Sequence, residues 1–342
     1  MELVATHVGN STTTIPVDLI VEILSLLPAK SIIRFQSVSK QWFSIIRSKD
    51  LVDTFLTRSK TRPHLLLVLE LFSPGKRFLF SVPEHKTNDK TSTAIARHEM
   101  TRSIDSYYYF CSLPVNGFVC FTGIVSSTSV CSSITVCNPI TRQTVKLPDE
   151  HYVCTVSSSQ KQEWRKIENT TAYKYLYIYQ GICIGGVIYY VIGEPNIVKF
   201  DVRSEKMELI KAPEESDISR TCYSTLVNYN GRLGGVEFDY SKQEIRLWIL
   251  ENVENQEWSR KTFKYPRQWE GFGWHLRSNG LIHTGELMVF QRSLEEAKPF
   301  CVYYYDFNKE RSRKVEIRGV ETDELQGSRL CYPGYVENIR FL

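Results

Sequence analysis

The side chains best suited to bond chemistry are nine cysteines, seven histidines and 38 carboxylates, and their spacing assembles no reaction centre. There is no Gly-x-Ser-x-Gly elbow for a serine nucleophile and no glycine-rich Lys-Ser/Thr loop to cradle phosphates. A Gly-x-Gly-x-x-Gly turn and a His-Glu-x-x-His zinc pair are equally missing. The histidines stand apart at positions 7, 64, 85, 98, 151, 275 and 283. His275 and His283 flank the Asn279-Gly280 turn, where a satisfied or exposed pair is expected rather than a metal site. Glu214, Glu215 and Asp217 read as a solvated loop. The cysteines form no Cys-x-x-Cys pair, and several sit in strand-like runs: Val119-Cys120-Phe121, Val136-Cys137 and Ile182-Cys183-Ile184. Such thiols behave as small buried hydrophobes, which points to a reducing compartment, nucleus or cytoplasm. Neither a cofactor nor a metal is expected.

Two aromatic clusters suit binding better than catalysis, since Tyr and Trp are enriched at interface hot spots. Tyr107–Phe110 reads as strand residues packed inside the fold. In Trp269-Glu-Gly-Phe-Gly-Trp274 two glycines loosen a loop that carries Trp269, Phe272 and Trp274, candidates for contact with a target protein. Packing of those rings between structural units is the alternative.

The elements that would position these residues follow from composition. With 342 residues, 42% hydrophobic and 23% charged, the chain reads as globular, one large domain or two unequal ones. A net charge of +4 without a long basic run argues against nucleic acid as a partner. The longest apolar stretch, Leu65–Phe72, is interrupted by Glu70 and is far too short to cross a membrane. The N-terminus lacks the basic start and apolar core of a secretory signal, and residues 1–13 are expected to be disordered.

Residues 14–60 read as a small helical domain, inside a stretch with no glycine between Gly9 and Gly75. Pro16 suits the first position of a helix and Pro28 ends it. Between them only Glu22 and Ser25 interrupt Leu19–Leu27. A helix apolar on nearly every side, in a segment too small to enclose it, is shared with a partner or packed under a neighbouring domain. Leu19, Ile20, Ile23 and Leu27 share one side, Leu24 lies partly on that band, and Leu26 is expected to pack inward. Ile32, Phe35 and Val38 space a second helix, Ser39 offers a cap for a third, and Asp50 for a fourth over Leu51–Thr57.

From residue 63 to 342 short Val/Ile/Tyr/Phe runs alternate with turns, a β texture. Four loose repeats open at Asn116-Gly117, Gly181, Asn230-Gly231 and Asn279-Gly280. Units that cannot bury their own faces must stack, which suggests a propeller with room for about six blades; a β-sandwich is the runner-up. The closing run Val336–Leu342 is expected to be a structural strand.

Residues 15–48 resemble an F-box: Pro16-x-Asp18-Leu19-x-x-Glu22-Ile23-Leu24, then Leu27-Pro28-x-Lys30-Ser31, then Arg34-Phe35-x-x-Val38-Ser39-Lys40-x-Trp42. Ile15 and Leu26 depart from the usual pattern, both to apolar residues. The region behind resembles the plant F-box-associated interaction domain with its kelch-like character. That likeness rests on Cys137-Asn138-Pro139-x-Thr141-Arg142, the Phe200–Glu205 turn and Leu247–Glu251. The Gly-Tyr-Asp-Pro segment usual after Leu147-Pro148 is missing, as if one blade were truncated.

The resemblance implies a small all-α F-box followed by a mostly-β domain, an irregular kelch-like β-propeller. It implies a non-catalytic substrate receptor of an SCF-type ubiquitin ligase. The F-box would dock on a Skp-type adaptor, and through it a cullin, by Pro16, Leu19, Ile20, Ile23, Leu24, Leu27, Pro28 and Ile32. The β domain would hold an unidentified target protein. An F-box scaffold outside a ligase, or a glycan-binding kelch-type domain, is the rival reading.

Overall fold

The computed structural model describes residues 15–71, 76–84, 93–103, 107–111, 113–124, 132–147, 152–154, 164–166, 181–193, 196–219, 224–292, 299–320 and 327–342. The expectation for residues 1–13 lies outside them.

Four helices come first: α1 (Val17–Ser25), α2 (Ala29–Phe35), α3 (Lys40–Arg47) and α4 (Lys49–Lys60). Pro16 and Pro28 precede α1 and α2 as extended residues with φ near −55°, so each proline sits just before its helix rather than inside it. The Ser39 hydroxyl accepts from Trp42 N at 3.2 Å and starts α3. The fourth helix begins earlier than expected. Ser48, not Asp50, is its cap, with Oγ accepting from Leu51 N at 3.3 Å. Ser48 also ends α3. Asp50 falls in the first turn, where its charge complements the helix dipole.

The β region runs in chain order through β1 (His64–Leu71), β2 (Lys76–Pro83), β3 (Thr93–Ile95), β4 (Arg97–Ser103), β5 (Tyr107–Cys111), β6 (Val119–Ile124), β7 (Ser132–Asn138) and β8 (Gln143–Lys146). A short hairpin, β9 (Tyr152–Cys154) and β10 (Trp164–Lys166), follows. Then come β11 (Gly181–Ile184), β12 (Val187–Gly193), β13 (Asn196–Asp201), β14 (Lys206–Lys211), β15 (Thr225–Tyr229), β16 (Arg232–Asp239), β17 (Glu244–Asn252) and β18 (Glu257–Lys264). The series closes with β19 (Leu276–Arg277), β20 (Leu287–Gln291), β21 (Phe300–Asp306), β22 (Arg311–Arg318) and β23 (Gly327–Tyr335).

These strands form a five-bladed propeller. Blade one is β23-β1-β2-β4, blade two β5 to β8, blade three β11 to β14, blade four β15 to β18, and blade five β19 to β22 with β3 on its outer edge. Length alone suggested about six blades. The described residues form five, and the β9–β10 hairpin pairs with none of them. The β-sandwich alternative is set aside.

The ring is closed by β23, which pairs antiparallel with β1 from Leu71↔Gly327 to His64↔Tyr335. The expected closing strand Val336–Leu342 is therefore corrected. Strand pairing ends at Tyr335, and 336–342 continues as irregular but largely buried chain.

Tight turns repeat one device. Asp201, Asp239 and Asp306 each turn a carboxylate oxygen onto two following backbone N–H groups. This lets Glu205, Gln243 and Glu310 take left-handed φ values of 54°, 53° and 50°. Asp201 and Asp306 hold the turn between the third and fourth strands of their blades and Asp239 the turn between β16 and β17; in blade two the third-to-fourth turn is held by Asn138, whose Oδ1 accepts from Ile140 N at 2.9 Å and Thr141 N at 3.4 Å.

Four apolar cores lie within and between blades. A fifth belongs to the helices: Leu24, Ala29, Ile32, Ile45, Ile46, Leu51, Val52 and Phe55, joined by Ile140 and Ile339 from the β region.

Candidate partner-binding surfaces

Helix α1 is apolar all round, so the surface it offers is decided by which side the other helices cover. Leu24 is 1% exposed and belongs to the helical core, and Ile20 and Leu27 lean against that core half-buried. Leu19, Ile23 and Leu26, spaced i, i+4 and i+7, stay on the outside; Ile23 is 53% exposed and Leu26 60%. Ile15 and Val17 at its start are exposed too, as are Val38 after α2 and Phe43 on α3. Pro16 and Pro28 are exposed at either end of α1.

Three expectations are corrected here. Leu24 and Ile32 face the core, because α1 and α2 turn those sides onto α3 and α4, so neither is available to a partner in this conformation. Leu26, expected inside, is among the most exposed apolar residues of the module. Val38 does not continue the α2 stripe, since that helix ends at Phe35. Glu22, three residues after Leu19 and four before Leu26, borders the strip and pairs with Arg58 of α4, whose Nη1 also donates to the Glu22 carbonyl at 3.4 Å.

The second surface is on the propeller. Alternate turns of a four-strand meander lie on alternate faces. The helices sit on the face that carries the Asn116-Gly117 and Asn138–Arg142 turns of blade two. The segments entering β15 and β19, and the β16–β17 turn, lie on the opposite face. There an open cleft of about 510 Å³ is lined by Asp217, Glu237, Asp239, Arg246 and Trp274, among others.

Of the three aromatic candidates only Trp274 stands free, 60% exposed, its ring 3.9 Å from that of His275. Trp269 is 1% exposed and corrects the expectation: the short helical turn Arg267–Trp269 folds its indole into the core between blades four and five, against Tyr265 and Tyr305. Phe272 is half-buried, 5.7 Å from the Tyr303 ring. The side chains of Tyr107–Phe110 lie outside the described residues.

The cleft's charges are structural. Glu237 accepts from Trp248 Nε1 at 3.0 Å and from Asp217 N at 2.7 Å, and Arg246 pairs with both Glu237 and Asp239. Burial pushes the Asp239 carboxyl up, but hydrogen bonds from Ser241 and Lys242 and the charge of Arg246 outweigh it and hold it below the usual range. Two thiols of blade two are poor nucleophiles: burial pushes Cys120 to about 11 and Cys137 to about 12. His283 bonds Glu84 through Nδ1 at 2.6 Å. Among the described residues no three His, Cys, Asp or Glu side chains are grouped to hold a metal ion. What this geometry offers is an uncovered apolar strip on α1 and, on the propeller face away from the helices, the cleft beside Trp274.

Comparison with known proteins matches the F-box domain model over residues 13–54. The model described as the F-box associated beta propeller domain matches residues 64–158 and 148–336. F-box protein At5g65850 of Arabidopsis thaliana is 34% identical, covering 96% of this chain and 90% of the relative. F-box protein At1g53790 is 31% identical, with 96% and 82% covered, and F-box protein At1g30790 30% identical, with 96% and 98% covered, both from the same plant.

Proposed function

The chain belongs to the F-box proteins that carry an F-box-associated β-propeller, and on that premise we propose that it is the substrate-recognition subunit of an SCF-type ubiquitin ligase. The observation that carries this reading is the uncovered Leu19–Ile23–Leu26 strip of α1 inside the F-box match. A small module that leaves large aliphatic side chains half in water has a partner for them. That partner is a Skp-type adaptor, which brings a cullin.

The target protein is held on the opposite propeller face, at Trp274 and its cleft. The mechanism is proximity, with the receptor raising the target's effective concentration beside the conjugating enzyme, and with no bond chemistry done by this chain. Nucleic acid and membrane are not partners in this reading, and the working compartment is the nucleus, the cytoplasm or both. No helix among the described residues is long and apolar enough to cross a membrane.

The test is reconstitution. The full chain is mixed with a recombinant Skp-type adaptor and cullin, and co-elution of all three is measured. A complex with adaptor but no cullin points to a scaffold instead. A full chain that binds no adaptor ends the reading.

A further inference from the structure

The F-box helices do not complete their own core, and the residues that finish it come from the other end of the ring. Ile339 is fully buried among Leu24, Ile32, Ile46, Leu51 and Phe55. Around it, segment 336–342 touches three helices in turn. Glu337 Oε2 accepts from the N–H of Ala29, the first residue of α2, at 3.4 Å. That is one of the donors a helix start leaves unpaired. Arg340 Nη2 bonds Asp53 Oδ1 of α4 at 2.7 Å. The Arg47 guanidinium of α3 lies 4.0 Å above the Phe341 ring.

The segment is held from behind by blade two. Asn138 Nδ2 donates to the carbonyls of Asn338 and Arg340 at 2.9 and 2.8 Å, and Leu342 N donates to Gln143 Oε1 at 2.7 Å. Asn338 Nδ2 donates to the Asn116 carbonyl at 2.6 Å. The chain passes so close to the neighbouring turn that a Cβ on Gly117, whose φ is +82°, would stand 2.6 Å from the Val336 oxygen.

We propose that segment 336–342 is a clasp that locks the helical module to blade two, and that Asn138 is a positioning residue for the distant partner-binding strip on α1. Asparagine is required there for a chemical reason. Asp201 and Asp306 need only accept N–H bonds in the corresponding turns of blades three and five, and a carboxylate serves. Asn138 must accept on one atom and donate from the other. An aspartate would keep the turn and set a negative oxygen against two carbonyls. The ring itself does not depend on the clasp, because β23 completes its pairing with β1 at Tyr335.

The part of this inference that concerns binding rests on the adaptor reading. The test therefore uses two readouts on the full chain: hydrogen exchange of peptides from residues 17–60 and 225–264, and calorimetric titration with a recombinant Skp-type adaptor. Asn138→Asp should speed exchange across 17–60 at least tenfold, leave 225–264 unchanged, and weaken adaptor binding about tenfold. Arg340→Glu should act the same way, and adding Asp53→Arg to it should restore both readouts.

Unchanged exchange over 17–60 in both single variants overturns the clasp. So does parallel loosening of both regions, which would make the segment part of the ring's general stability. If the unaltered chain binds no adaptor, the proposed function fails, while the exchange comparison still decides the clasp.

Discussion

Asn138 and Asn338, 200 residues apart, are tied by the Asn138 side-chain amide, which donates to the Asn338 carbonyl at 2.9 Å. The Asn338 side chain in turn accepts from Arg340 N at 2.8 Å and donates to the Asn116 carbonyl. The orientation of the Asn138 amide is set by its neighbours, with two N–H groups facing its oxygen and two carbonyls facing its nitrogen. Asn138→Ala orphans both ends of this network. Each unsatisfied buried group costs about 1–3 kcal/mol, so denaturant unfolding at pH 7 should show a loss of about 2 kcal/mol or more. A loss below 0.5 kcal/mol, a figure at the bottom of the range for a single hydrogen bond, would mean that water replaces the amide at no cost.

The α1 strip separates interface from core by substitution. Burying an isoleucine against a partner contributes about 1.5–3 kcal/mol, and an aspartate in its place adds the desolvation of an unpaired charge. Ile23→Asp and Leu26→Asp should each weaken adaptor binding by more than about a hundredfold, with circular dichroism unchanged because both sites face solvent. Glu22→Ala removes a pair that is open to solvent, worth about 0–1 kcal/mol, and should leave affinity within a few-fold. A folded Ile23→Asp variant that binds like the parent removes the strip from the interface.

The two tryptophans of the blade-five loop should part company. Trp269→Ala empties a fully buried indole site and should cost about 3–5 kcal/mol of stability, seen as a large drop in the thermal midpoint. Trp274→Ala should leave the midpoint within a degree or two, since its ring is mostly in water, and should reduce capture of target proteins from proteasome-inhibited plant extract. Equal capture by Trp274→Ala and the parent would move the target site elsewhere on the propeller.

Acid sensitivity should trace partly to His64 on β1. Burial, then the nearby Arg97 charge, lowers its pKa to about 4, and its buried Nδ1 has no hydrogen-bond partner. The folded state therefore holds fewer protons than the unfolded state between about 4 and 6.5. The stabilisation is full above the unfolded value of about 6.5 and is lost as pH falls toward the folded value of about 4. The loss should amount to about 2–3 kcal/mol at 1.36 kcal/mol per unit, allowing for solvent screening. Unfolding curves between pH 7 and pH 4 should slope less for His64→Gln than for the parent. Parallel slopes would assign the acid limb to other groups.

Composition and local pattern were enough to read a glycine-free helical front and a glycine-punctuated β region. Ser39 as a helix cap, the Asn-Gly turns and the F-box signature were legible because each depends on residues within a few positions. The Asp50 cap was misread by two residues, since Ser48 and Asp50 carry the same kind of capping signal and only backbone conformation separates them. What tertiary structure decided was which side of an already apolar surface finds cover. Periodicity states that Leu24 and Leu26 point apart from one another, but in a helix greasy all round it does not say which meets the core. The same holds for Trp269 and Trp274, one indole between two blades and the other in water. The clasp was beyond any local signal: Asn138 reads as an ordinary turn residue until the chain, having closed its ring at Tyr335, brings two carbonyls within reach of its amide.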